Sequence, residues 1–90
     1  MRDIDTEWFQ EQARIKFGKV HPDGRREGGQ NELARRMGLD PSALVHAFHG
    51  RRKISLAEVE QLSLLLKVPL LEVLRRAGVE IDKLKRRGLV

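Results

Sequence analysis

The sequence predicts an all-α domain of five helices, with a long loop between helices one and two. Two observations predict it. Apolar residues recur three and four positions apart along most of the chain, the period of a helix that buries one face. The segments so defined open at capping residues and close at glycines. A strand candidate around residues 79–81 is short and stands alone.

The first helix is expected from Thr6 to Phe17, where Phe9, Ala13 and Phe17 fall four apart and Trp8 and Ile15 widen the stripe. Asp5 or Thr6 can accept hydrogen bonds from the first-turn amides, and Glu7 complements the helix dipole. Gly18 ends it. Residues 18–29, GKVHPDGRREGG, carry the turn signals Pro22-Asp23-Gly24 and Gly28-Gly29 and are expected to be loop. Loops of that length in small domains tend to be functional or mobile.

A second helix runs from Gln30 to Met37, with Leu33, Ala34 and Met37 on one side and Glu32, Arg35 and Arg36 on the other. Gly38 suits the left-handed geometry that closes a helix. Asp40 then supplies an N-cap, and Pro41 takes the first helical position, where its missing N–H costs nothing. This third helix runs through Phe48 and stops at Gly50. Ser55-Leu56-Ala57-Glu58 is a capping box opening a fourth helix, with a core face of Leu56, Val59, Leu62 and Leu66. Pro69 starts a fifth, carrying Leu70, Leu71, Val73 and Leu74 to a stop at Gly78. Residues 1–78 form the expected domain, and 79–90 a tail that is a short helix or a dimer contact.

Eighteen Lys and Arg against thirteen Asp and Glu leave a formal charge of +5, which favours polyanions. The absence of cysteine excludes disulfides, cysteine metal sites and thiol nucleophiles. The longest apolar stretch, residues 62–66 with Ser63 inside it, falls far short of the roughly 20 residues that cross a bilayer. MRDIDTEW is acidic where a signal peptide is basic and then apolar, so a cytoplasmic protein with no membrane partner is expected. His21, His46 and His49 lack a placed carboxylate or nucleophile, and GGQNE is no phosphate-cradling loop; no catalysis and no cofactor are expected. His46 and His49 could pair on one helical face, but no third ligand follows at a recognisable spacing, so no metal is expected either.

The second and third helices and their tight turn carry the functional signal. Leu33, Ala34 and Met37 face Leu44 and Phe48, with Leu39 plugging the corner. Ala34 is small enough to let the helices cross closely, and a Cβ at position 38 would resist a positive φ.

QNELARRMGLDPSALVHAFHGRRKIS resembles the helix-turn-helix of the phage-repressor and Cro type (XRE-like) family of DNA-binding proteins. LAEVEQLSLLLKVPLLEVLRRAG resembles that family's two closing helices. The likeness rests on Gln30, Leu33, Ala34, Gly38, Leu39, Leu44 and Gly50 taken together, and covers about residues 16–78. Two positions depart from it. Ala47 stands where the family carries a larger aliphatic residue, and the link between helices one and two is far longer than usual.

The resemblance implies a lambda-repressor-like fold and sequence-specific binding of double-stranded DNA by a transcriptional regulator, a repressor. In such a reader the third helix lies in the major groove and the second crosses the phosphate backbone. Base reading then falls to Ser42, Ala43, Val45, His46 and His49, with Val45 also able to complete the core. Backbone contacts fall to Gln30, which by resemblance clamps a phosphate, and to Arg51, Arg52 and Lys53 after the third helix. Arg35 joins them, sharing with Arg36 the alternatives of a phosphate and Glu32. Lys19, Arg25 and Arg26 in the loop are either further DNA contacts or part of a plain connector. Lys83, Lys85, Arg86 and Arg87 form a second basic cluster in the tail.

A homodimer on a near-palindrome is expected, through Leu71, Leu74, Val79, Ile81, Leu84 and Leu89, with interior packing the alternative for Leu71 and Leu74. The alternative is an antitoxin, or another partner-protein-binding module that also binds DNA. A recombinase subdomain or a nucleoid protein without sequence preference is a third reading.

Overall fold

Every helix in the computed structural model, which describes residues 4–79, begins and ends where backbone chemistry dictates. Helix α1 (Thr6–Phe17) is capped by Asp5, whose carboxylate accepts from the Trp8 amide at 3.2 Å. Helix α2 (Gln30–Met37) closes on Gly38 at φ 72°, whose N–H reaches the Ala34 and Arg35 carbonyls. Helix α3 (Pro41–Phe48) opens on Asp40, which accepts from the Ser42 amide. Helix α4 (Leu56–Leu66) carries the full capping box, Ser55 and Glu58 each accepting from the other's backbone N–H. Helix α5 (Leu70–Arg76) follows Pro69.

The five helices enclose one core. Phe9 and Ala13 of α1, Leu33, Ala34 and Met37 of α2, Leu44 and Phe48 of α3, Val59, Leu62 and Leu66 of α4, and Val73 and Leu74 of α5 are all buried together. Phe9 stacks on Phe48 with ring centroids 5.0 Å apart, and Trp8 meets Phe9 edge-on at 4.9 Å. Ala47 is itself buried.

The loop expected over residues 18–29 is folded. Strands β1 (Lys19–Val20) and β2 (Arg26–Glu27) pair antiparallel, Lys19 opposite Glu27 and Val20 opposite Arg26. His21 N–H donates to the Arg25 carbonyl at 2.8 Å, and the Asp23 carboxylate accepts from the Arg25 amide and guanidinium. Strands of two residues are too short to show an alternating pattern, so turn residues dominated the sequence signal. The hairpin stands on α1: Arg26 Nη1 donates to the Ile15 carbonyl at 2.8 Å. At Gly29, φ is 97°, and a Cβ would run into the Ala13 carbonyl oxygen.

The fold settles four apolar positions. Leu56, expected on the core face of α4, and Ile15, expected on the stripe of α1, are exposed, at 40% and 42%. Leu74, offered either to a dimer surface or to the interior, is buried with the core, and Val79, expected on the dimer surface, packs against it. Ile81, Leu84, Leu89 and the basic cluster of the tail lie outside the described residues.

The start of α1 joins both ends of the fold. Asp5 N–H donates to the Arg76 carbonyl, while the Arg76 guanidinium reaches Asp5 and Glu72 and lies 5.3 Å over Trp8. The Thr6 hydroxyl donates to the Phe48 carbonyl.

Candidate nucleic-acid interface

Helices α2 and α3 are joined by Gly38, Leu39 and Asp40 alone. The left-handed Gly38 and the bond from Leu39 N–H to the Ala34 carbonyl at 2.9 Å reverse the chain within those residues. Ala34 is fully buried, and the two helices pack tightly across it. Helix α3 is thereby divided lengthwise. Leu44, Ala47 and Phe48 are buried, whereas Ser42, His46 and His49 are exposed and Ala43 and Val45 lie half-buried between the two sides. Burial of Ala47 leaves Val45 at the border of the outer face rather than in the core.

Residues 30–73, which span this pair of helices, α4 and the first half of α5, match a family model described as helix-turn-helix. This segment, just under half of the chain, is what the protein shares with the helix-turn-helix family. No curated protein and no solved structure matches it. The match supports, in general terms, a DNA-binding transcription regulator. No helix among the described residues is long and apolar enough to cross a membrane.

Within the helix-turn-helix, Asp40 conditions the chemistry of Ser42. The Ser42 hydroxyl donates to the Asp40 carboxylate at 2.8 Å and the Ser42 amide donates to the same oxygen at 2.9 Å. Those two bonds hold the Asp40 carboxyl below its ordinary pKa. With its proton committed, Ser42 offers lone pairs to an approaching donor, such as the amino group of adenine or cytosine.

The cations divide into two groups. Arg51 and Lys53 are exposed and have no carboxylate partner among the described residues. Lys19 on β1 is likewise exposed and unpaired among them. Arg52 is different. Its guanidinium is half-buried, holds Glu58 through Nη1 and Nη2, and donates from Nε to the Ala43 carbonyl at 3.2 Å. Glu58 is held below the usual carboxylate range, first by the Arg52 hydrogen bonds and further by the Ser55 amide. Arg35 and Arg36 both bond Glu32, which Arg35 above all keeps low in pKa. Arg36 also lies 5.0 Å over the Phe17 ring. Arg25 pairs with Asp23 at 2.6 Å, and Arg26 is engaged with Ile15.

Gln30 is the first residue of α2 and half-buried, and its Oε1 is enclosed without a hydrogen-bond partner among the described residues. It lines a cleft with Glu7, Gln10, Glu11, Arg14 and Gly28. The structure adds one neighbour to the outer face of α3 that sequence spacing does not indicate. The Gln10 side chain of α1 comes within hydrogen-bonding distance of His49. A contact between residues 39 positions apart leaves no periodic trace.

Proposed function

We propose that the chain is a sequence-specific transcriptional regulator that represses by occupying an operator as a homodimer. The observation that carries this reading is the lengthwise division of α3: one side is locked into the core and the other offers Ser42, His46 and His49 to solvent. Seated in the major groove, that outer side reads base edges, with Ala43 and Val45 meeting thymine methyls. Each good contact of this kind discriminates by about 1–3 kcal/mol.

Gln30, Arg51 and Lys53, with Lys19 from the hairpin, take phosphates and supply salt-dependent affinity without reading sequence. Arg25, Arg26, Arg35 and Arg52 already have intramolecular partners, so a phosphate contact from any of them shares its guanidinium with that partner. One module of this size buries too little DNA to be very selective, which favours a paired arrangement with half-sites about 34 Å apart. The outer side of α4 and α5 suits a second copy: Leu64 is 78% exposed and Leu71 46%. Those leucines also favour the alternative, a partner protein docked as on an antitoxin.

Selection of bound duplexes from a random library tests the reading. A recurring motif with two related halves is expected, and enrichment of no motif would overturn it. Sedimentation of the protein on the selected duplex should give two copies per site; one copy would remove the homodimer.

A further inference from the structure

We propose that Gln10, on α1 and outside the segment that matches the family, is a positioning residue for base reading: it holds the His49 imidazole with Nδ1–H turned outward as a hydrogen-bond donor. The inference rests on the reading of α3 as the groove helix.

The side-chain amide nitrogen of Gln10 lies 3.4 Å from Nε2 of His49. With the amide turned this way its N–H donates to Nε2, which assigns the ring proton to Nδ1. In that state the ring presents a donor to whatever lies beyond it. In the major groove the matching acceptors are guanine O6 and N7 and adenine N7, so the arrangement favours a purine opposite His49.

The register of Gln10 against His49 is fixed from both sides. Before His49, the Thr6 hydroxyl donates to the Phe48 carbonyl and the Phe9 ring stacks on Phe48. After it, Ile4 lies beneath Gly50, so close that a Cβ there would come within 3.3 Å of Ile4 Cγ2. His49 itself ends α3, its N–H bonded to the Val45 carbonyl at 3.0 Å. Gln10 also borders the cleft that holds Gln30, which puts it between a proposed phosphate contact and a proposed base contact. An exposed imidazole at a helix end otherwise samples several rotamers, and ordering it on binding opposes affinity. His46, three positions earlier on the same face, has no hydrogen bond to another side chain among the described residues and serves as the internal control.

The test uses the full chain, a duplex obtained by selection and a scrambled duplex of equal composition, with affinities read by fluorescence anisotropy. Gln10→Ala is expected to weaken the selected complex about two- to tenfold, the range of one lost hydrogen bond, and to leave the scrambled complex unchanged. In a His49→Ala background the same change should cost nothing further. Nitrogen NMR of the histidine rings should show His49 leaving the Nδ1–H form in Gln10→Ala while His46 stays as it was. Gln10→Leu, which keeps the side-chain stem on α1, must behave like Gln10→Ala.

Wild-type affinity in both variants, or an equal loss in the His49→Ala background, would overturn the inference while the regulator reading stands. Equal binding of selected and scrambled duplexes by the unmodified protein would instead remove the regulator reading, and this inference with it.

Discussion

Arg52 and Glu58 meet through two parallel bonds, Nη1 to Oε1 at 3.1 Å and Nη2 to Oε2 at 2.9 Å. Glu58 also accepts from the Ser55 amide at 2.9 Å, and Arg52 from its other side holds the Ala43 carbonyl. One guanidinium therefore fastens the middle of α3 to the first turn of α4. The side chains of this pair are 35% and 12% exposed, so water competes weakly for the carboxylate.

Neighbouring arginines are expected to separate by experiment. Arg52→Ala should lower the unfolding free energy by about 1–2 kcal/mol, because it strands a half-buried carboxylate. A urea midpoint left in place would show that the brace contributes nothing. Arg51→Ala should keep the midpoint and instead reduce the salt slope of DNA binding by about one.

Acid should weaken the fold. Glu58, Asp40, Glu72 and Glu32 all have folded-state pKa values below their ordinary ones, through hydrogen bonds from Arg52, Ser42, Arg76 and Arg35 respectively. A depressed carboxylate contributes stability that is complete above its unfolded pKa, about 4, and disappears as pH falls through the folded value. Melting temperature should therefore hold between about pH 7 and about pH 5 and drop toward pH ~3. Glu58→Gln should shrink that drop; an identical acid limb would exclude Glu58 as a contributor.

Two glycines with similar backbone should differ in what alanine costs. Gly38 has φ 72° and open space around a new Cβ, so Gly38→Ala meets only the left-handed penalty, about 1–2 kcal/mol. Gly29 has φ 97° and the Ala13 carbonyl in the way, so Gly29→Ala must also push α2 off α1. Thermal melts should rank Gly29→Ala well below Gly38→Ala. The reverse order would mean that the α1–α2 contact yields freely.

Replacing Ser42 and His46 together with Ala should weaken a selected duplex by about tenfold or more while barely changing a scrambled one. Equal loss on both would show that this side of α3 touches backbone alone.

The helices were legible because their ends are written in single residues. Asp5, Asp40 and Ser55 cap, Gly38 stops, and each acts through local backbone bonds that spacing alone predicts. The turn between α2 and α3 was legible for the same reason. What spacing could not convey was partnership at a distance. Arg51 and Arg52 are chemically identical in a sequence, and only the fold gives Arg52 a carboxylate. Leu56 satisfies the apolar period yet is exposed, and Leu64 breaks no local rule although it faces solvent. The Phe9–Phe48 stack also needed the fold, since it joins two separate helices.

The hairpin between α1 and α2 is secured at its feet. Arg26 grips the end of α1, Gly18 N–H bonds the Arg14 carbonyl, and Gly29 nestles against Ala13. The spacing of the two helices is set there, and the tip around Asp23 and Gly24 has no share in it. A foreign peptide grafted between those tip residues should leave the rest of the protein undisturbed, because closing a longer excursion adds an entropic cost that grows only with the logarithm of its length. The tip is thus a ready attachment point for a fluorophore or an affinity tag.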